Sequence, residues 1–303
     1  MKHFSYPVLY LVLGMIALTS CEEKPNLDSY HHQITDWQNA RNGSMRDSSS
    51  WLSLVALHWL QEGESTFGAD SGNTILFPTS APDFAGSFTL KDSTVSIRVA
   101  EGVRVLHKGQ AITEMVLKSD MDEETAYLQM GHINFYIIQR PEGLAVRVKD
   151  SQNPDLLAFE DIPNFPISAA WQLEARLDWY ESPQPIQIPT VLGSERTQYC
   201  PAKLIFEADG ATFELSPYNS FYGDPVWTII FSDLTNGETT YGGGRFLEIT
   251  APEVGTESII LDFNKAYNPP CAFSPFATCP LPPPENRLAL AVPAGEQMYG
   301  EMH

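Results

Sequence analysis

The spacing of apolar residues changes near residue 50. Before that point, large side chains recur at intervals of three and four residues, at Tyr30, Ile34, Trp37 and Arg41. This spacing predicts an amphipathic helix that ends near residues 42–43. Beyond residue 50, short runs rich in Val, Ile and Phe, such as "STVSIRVA", "HINFYIIQR" and "VWTIIFSD", are separated by Gly, Pro, Asn or Asp. They predict β strands, and no helical pattern alternates with them. The fold class is therefore all-β, mainly an antiparallel sandwich or partly closed barrel, with one N-terminal α-helix.

One hairpin and one seam stand out in the strand region. The runs "VWTIIFSDLT" and "ETTYGGGRFLEI" flank Asn236 and Gly237, a pair that supplies the positive φ angles of a tight type I′ turn. The glycines at 242–244 are expected to form a bulge where a strand begins. The proline-spaced segment at 181–190 is a candidate seam within one domain that covers residues 30–303.

The N-terminus predicts export and lipidation. A cationic start, an apolar run and small residues precede Cys21, which is typical of an export signal over residues 1–20. The tetrad Leu18-Thr19-Ser20-Cys21 resembles the lipobox of bacterial lipoproteins, which implies a lipid on Cys21 and a polar tether over residues 21–29. By the same resemblance, the absence of Asp directly after Cys21 favours the outer membrane, and two or three acyl chains give stable anchoring.

Charge and motifs exclude several classes of protein. The chain has 38 acidic and 18 basic residues, a net charge of −20, so nucleic acid is not an expected partner. The motifs G-x-S-x-G, H-E-x-x-H and G-x-x-x-x-G-K-[ST] are absent from the sequence. Neither a cofactor nor a metal ion is expected, because a thiol pair alone does not complete a zinc site.

Cysteine, proline, aromatic and charged residues are concentrated in one segment, "DFNKAYNPPCAFSPFATCPLPPPENRL", residues 262–288. This segment is predicted to be neither helix nor strand. After export, a disulfide between Cys271 and Cys279 is the expected state, and Cys200 is left as a free thiol. The prolines make this segment rigid, which serves either the packing of its aromatic residues or the orientation of its polar groups around a ligand.

The same run closely resembles the C-terminal signature of a bacterial family known as domain of unknown function 1684, which also occurs in lipoproteins. The resemblance extends through "SWLSLVALHWLQEGESTFG", "RVKD", "NFP", "FSDLTNGETTYGGGRFL" and "PAGE". It implies a single integral domain after residue 50. The family has no assigned activity, so the resemblance implies no catalytic residues.

Three functions remain open at this point. The first is a lipid-anchored binding module for a small neutral or cationic ligand, with a sugar as a candidate. The second is a hydrolase that uses paired carboxylates. Its candidate acid and base are Asp233, Asp262, Glu285 and Glu296. The third is an envelope scaffold that binds protein partners.

The predicted ligand pocket is centred on Arg245. Arginine orients carboxylates through two parallel hydrogen bonds, so we expect Arg245 to pair with Asp262 or Glu285. The pair either fixes a polar pocket or only pins the C-terminal loop. The full set of candidate pocket residues is Tyr241, Arg245, Asp262, Asn264, Tyr267, Asn268 and Glu285.

Overall fold

The computed structural model describes residues 27–219 and 225–300. The predicted signal peptide, Cys21 and residues 22–26 of the tether lie outside the described residues. The first described element is helix α1, Leu27–Met45, which begins before Tyr30 and ends beyond Gly43. Tyr30 and Ile34 are buried and Trp37 and Arg41 are half-buried, so the predicted stripe faces the protein. No helix in the described ranges is long and apolar enough to cross a membrane.

The rest of the described chain is dominated by β strands, with one further short helix, α2, Pro154–Leu157. The strands are β1 Leu54–Trp59, β2 Gly63–Gly68, β3 Ile75–Leu76, β4 Gly86–Lys91, β5 Thr94–Val99, β6 Val105–His107, β7 Gln110–Ile112, β8 Glu114–Leu117, β9 Leu128–Met130, β10 Ile133–Arg140, β11 Gly143–Asp150, β12 Gln172–Pro189, β13 Glu195–Ala208, β14 Ala211–Leu215, β15 Tyr218–Asn219, β16 Val226–Phe231, β17 Arg245–Thr250 and β18 Ser258–Asp262.

These strands form four sheets in the described ranges. Their orders are β1-β11-β10-β9-β6-β7, β3-β2-β4-β5-β8, β14-β13-β12-β18 and β15-β16-β17. The pairings are antiparallel except for β2 with β3, and the molecule contains a half-barrel. The predicted fold class, all-β and mainly antiparallel with one N-terminal helix, is confirmed.

The apolar interior has two main clusters. The first joins sheets from the earlier part of the chain and includes Phe67, Phe88 and Phe135. The second lies within residues 175–294 and includes Phe206 and Phe263. The division of the chain into a signal, a tether and one domain remains a prediction.

The proline-spaced segment at 181–190 lies almost entirely within β12, the longest described strand. β12 pairs with β13, and the register shifts between Trp179 and Gln184, around Pro183. Proline cannot donate a ladder hydrogen bond, so it is tolerated in a strand at a bulge of this kind. This local irregularity explains why the apolar period was not visible in the sequence.

The predicted hairpin forms, but its turn differs from the prediction. β16 and β17 are antiparallel, with Phe231 opposite Arg245, so residues 232–244 connect the two strands. Gly237 has a positive φ of 79°, whereas Asn236 is not among the residues with positive φ. A type I′ turn needs positive φ at both positions, so the two-residue turn is wrong. The side chains of Thr235 and Thr240 instead bond to each other at 2.8 Å within the longer connection.

The segment after β18 is irregular, as predicted. It contains short 3₁₀ turns at Phe263–Lys265, Pro270–Ala272 and Pro284–Asn286. The run "RLALAV", which the pattern predicts to be a strand, contains only an isolated bridge at Arg287. Cys200, Cys271 and Cys279 are all free thiols in the structure, so the disulfide remains a prediction.

Candidate ligand-binding cleft

Arg245 is fully buried and does not pair with the predicted carboxylates. Its Nη2 atom donates to Asp233 Oδ2 at 2.8 Å, and both side chains have no exposed surface. The guanidinium also donates to the carbonyls of Val292, Ala294 and Glu296. The predicted partners, Asp262 and Glu285, are therefore wrong. The hairpin register explains the difference, because Asp233 lies just beyond the Phe231–Arg245 pair.

Asp262 and Asn264 belong to a network that fastens α1 to the half-barrel. Tyr30 donates its hydroxyl to Asp262 Oδ1 at 2.9 Å, and Asn264 Nδ2 donates to the Tyr30 oxygen at 2.8 Å. Burial and the neighbouring Asp262 carboxylate raise the pKa of Tyr30. The phenol therefore stays protonated and keeps its donor. This network satisfies buried polar groups rather than presenting them to a ligand.

Asn268 belongs to a second hydrogen-bond network, which also includes Arg41 of α1. Glu296 is fully buried and accepts from Arg41 Nε at 2.9 Å and from the Asn268 backbone N–H at 2.6 Å. Burial raises the pKa of Glu296, and Arg41 opposes this effect.

Tyr241 is half-buried and packs in an apolar cluster with Met45, whereas Glu285 is exposed. Of the seven predicted pocket residues, only Tyr267 lines the large cleft of about 730 Å³.

The candidate carboxylates of a hydrolase do not face one another across a cleft. Asp233 pairs with Arg245, Asp262 accepts from Tyr30, and Glu296 pairs with Arg41. Among the described residues that line the large cleft, Glu248 is the single carboxylate. A paired-carboxylate mechanism needs a second acid across the substrate. The described geometry thus gives no support to the hydrolase alternative.

A cleft of about 730 Å³ is lined by residues from β10, β12, β13, β15, β16 and β17 and from loops between strands. Its volume falls within the range of about 300 to 1,000 Å³ that is usual for small-molecule sites. Its lining carries aromatic, hydroxyl, amide and charged side chains, and Gln139 and Arg140 come from the end of β10. The lining residues are Met121, Gln139, Arg140, Pro141, Ile188, Arg196, Thr197, Gln198, Tyr218, Thr228, Phe246, Glu248, Tyr267 and Pro280.

The two arginines of the cleft differ in their partners. Arg140 is held by Asp120, with 2.8 Å between Arg140 Nη2 and Asp120 Oδ2. Arg196, opposite Ile188 on the β12–β13 ladder, has no ion-pair partner among the described residues. Its Nε atom is buried and has no hydrogen-bond partner in the described part of the chain. Arg196 is half-buried as a whole, so its guanidinium is a cation in the cleft lining that no described carboxylate neutralises.

The far end of the cleft is built around Tyr267 and Glu248. The Tyr267 hydroxyl donates to Glu248 Oε1 at 2.7 Å, and burial raises the pKa of Tyr267. Both residues also line a smaller pocket of about 280 Å³, to which α1 contributes Trp37, Ala40 and Arg41. Arg41 lies over the Tyr267 ring, with 4.9 Å from its Cζ atom to the ring centroid. The helix thus supports the ring that forms the cleft wall.

Sequence reasoning missed Arg196 and Glu248. Both lie on strands, β13 and β17, and neither belongs to a local motif. The sequence offers one weak indication of Arg196, because it is one of few cations in a chain with 38 acidic residues. It offers none for Glu248. No group of three or more His, Cys, Asp or Glu side chains suited to a metal ion occurs among the described residues.

The fold and the cleft define a mainly antiparallel β protein that contains a half-barrel and one large cleft among its described residues. Residues 157–297 match the family model described as "Protein of unknown function (DUF1684)". The resembling blocks before residue 157 lie outside this match. An uncharacterised protein of Haloarcula marismortui, solved by solution NMR, is 30% identical, with 46% of this chain and 77% of that chain covered and a TM-score of 0.39. No curated protein matches the chain significantly.

Proposed function

We propose that this protein is a lipid-anchored envelope protein whose large cleft binds a small molecule with an anionic group. The half-buried Arg196, which lines the cleft and has no ion-pair partner among the described residues, is the observation that carries the proposal. It favours an anion over the neutral or cationic ligand that the overall acidity suggests. Arginine binds a carboxylate through parallel N–H donors, and such charge-assisted bonds are among the strongest in proteins.

The remaining lining suggests the rest of the ligand. Tyr218, Phe246 and Tyr267 offer aromatic surface, while Gln139 and Gln198 offer amide donors and acceptors. Aromatic faces and amides suit a sugar ring, so an acidic sugar is the first ligand class to test. The single carboxylate, Glu248, is available to accept a ligand hydroxyl.

Binding of galacturonate, compared with galactose as its neutral counterpart, tests this function. We expect wild-type protein to bind galacturonate, measured by isothermal titration calorimetry, and Arg196→Gln to weaken binding by roughly 10- to 100-fold, since bonds to a charged group contribute about 1.5 to 3 kcal/mol. Arg176→Gln is the matched control, because Arg176 is an exposed cation on β12 outside the cleft lining. Equal binding of acid and neutral sugar, or equal loss in both variants, would contradict the proposal. So would a failure of the wild type to bind any member of a panel of sugar acids.

The lipid anchor is part of the same proposal and is supported by the lipobox-like residues 18–21. Because the Cys21 thiol is the group that carries the lipid, Cys21→Ser is expected to release the protein from bacterial membranes or to leave its signal uncleaved. Membrane fractionation with carbonate washing, together with the mass of the mature protein, measures this outcome. Cys200→Ser, at a buried thiol, is the control that should stay in the membrane fraction. A processed Cys21→Ser protein that fractionates with the outer membrane as the wild type does would refute the anchor.

A further inference from the structure

A second chemically unusual site is the thiol pair, Cys271 and Cys279. The two are free, and the backbone N–H of Cys271 donates to Cys279 Sγ at 3.0 Å. Cys279 is 3% exposed, whereas Cys271 is half-buried. The Cys271 thiol is therefore accessible to a reagent in solvent, whereas the Cys279 thiol is buried next to it.

Beside the thiol pair lies a buried cation that lacks a carboxylate partner. Arg147, on β11, is 3% exposed, and no described carboxylate lies within salt-bridge distance of it. It donates only weakly, to Tyr136 Oη at 3.4 Å and Thr278 Oγ1 at 3.3 Å. Its Nε atom is buried without a hydrogen-bond partner among the described residues. An uncompensated buried charge is expensive, so an anion at this place would relieve it.

Packing brings Arg147 and the thiols together. The guanidinium lies over Trp51, with 5.5 Å from Cζ to the ring centroid, and Trp51 packs in one cluster with both cysteines. The hydrogen bond from the Cys279 thiol lowers the pKa of Cys271, and the charge of Arg147 adds to that effect. Burial raises the pKa of Cys279 and outweighs Arg147 there.

Other titratable groups around the thiol pair favour the same distribution of charge. Tyr241, from the 232–244 connection, has its pKa raised to about 12 by burial and by the two thiols, so it stays neutral. Lys149, on β11, has its pKa lowered to about 8 by burial and by Arg147. Two carboxylates also lie in these surroundings: Asp47 opposes the pKa shift of Lys149, and Asp120 pairs with Arg140, which donates to Thr278 Oγ1 at 3.4 Å. Arg147 is the cation whose charge acts on both thiols, and the partly exposed Cys271 is the thiol placed to become the anion.

We propose that Cys271 and Cys279 form a reversible dithiol–disulfide site that reacts with small-molecule disulfides, with Cys271 as the attacking thiol and Arg147 as its positioning cation. The Cys271 thiolate attacks one sulfur of RS–SR, and RS⁻ leaves as a mixed disulfide forms. The Cys279 sulfur then attacks Cys271, the second RS⁻ departs, and the Cys279 proton ends on a leaving thiolate. Overall, RS–SR and two protein thiols give 2 RSH and one protein disulfide, so the small disulfide is reduced and the protein oxidised.

Oxidised glutathione is the probe for the test, used on the full chain after reduction and removal of the reductant. Wild-type protein should close the 271–279 disulfide and release both glutathione thiols, as read by peptide mapping. Cys279→Ser should accumulate the mixed disulfide on Cys271, because the second thiol is missing. Cys271→Ser should form an adduct on Cys279 at least about tenfold more slowly, because its thiol is buried. Faster reaction at Cys279 than at Cys271, or a wild-type pair that glutathione buffers neither close nor reopen, would overturn the proposal.

The role of Arg147 is tested by the pH profile of Cys271 alkylation with iodoacetamide. Arg147→Met should move the midpoint to higher pH and slow the reaction at pH 7 by roughly tenfold per unit of pKa change, whereas Arg147→Lys should retain most of the wild-type profile because it retains the charge. Cys200 is the internal reference, since burial raises its pKa to about 11. A merely structural Arg147 would leave the midpoint unchanged in both variants, and that result would refute its assignment.

Discussion

Arg245→Ala is expected to lower the free energy of unfolding by about 3 to 5 kcal/mol, the usual cost of breaking a buried ion pair from one side. The substitution leaves Asp233 buried without its cation, although the Thr235 hydroxyl and backbone still donate to Asp233 Oδ1. It also removes the donors that hold the carbonyls of Val292 and Ala294. Chemical denaturation monitored by circular dichroism measures the loss.

The control for this prediction is Lys203→Ala. Lys203 and Glu214 also form a close ion pair, at 2.6 Å, but both side chains are more than a third exposed. An exposed pair contributes about 0 to 1 kcal/mol, so the control should change stability little. Hydrogen exchange adds a local measure, because the Glu296 N–H donates to Ala266 and should lose protection in Arg245→Ala. Similar stabilities for the two variants would contradict the assignment of Arg245 as the residue that pins the C-terminal segment.

The case of Arg245 shows how far sequence reasoning reaches. Residue chemistry predicted that Arg245 would pair with a carboxylate, Asp262 or Glu285, either to fix a polar pocket or only to pin the C-terminal loop. The partner depended on strand register, which the Asn236-Gly237 pair indicated incorrectly. With Phe231 opposite Arg245, Asp233 lies within reach across the hairpin. A local turn signal was overridden by the hydrogen bonds of the longer 232–244 connection.

The position of the cleft could not be predicted from the sequence either, because it also depends on how strands pair and pack. Its key side chains, Arg140, Arg196, Glu248 and Tyr267, come from distant parts of the chain and meet only when the sheets are assembled. Strand class and the irregular C-terminal segment follow from local pattern, and both were predicted. The contacts between sheets depend on packing, which no local period encodes.

The glycines before Arg245, predicted to form a bulge where a strand begins, are approached closely by neighbouring groups. Gly244 has a positive φ of 88°, and a Cβ atom there would lie 2.6 Å from the Phe231 carbonyl oxygen and would also clash with Pro282. Gly243 is crowded by the ring of Tyr241. The approach in the described chain is thus internal packing, which fixes the start of β17 against the proline-rich segment.

Gly244→Ala is therefore expected to destabilise the protein through two effects. The positive φ costs about 1 to 3 kcal/mol for a residue with a Cβ, and overpacking against Phe231 and Pro282 costs about 1 to 3 kcal/mol more. Gly255→Ala separates the two effects, because Gly255 has a similar φ of 92° but open space where a Cβ atom would lie. Chemical denaturation of both variants should give a larger loss for Gly244→Ala by the overpacking contribution. If the two substitutions cost the same, the close contacts with Phe231 and Pro282 add nothing to the loss, and the overpacking contribution is refuted.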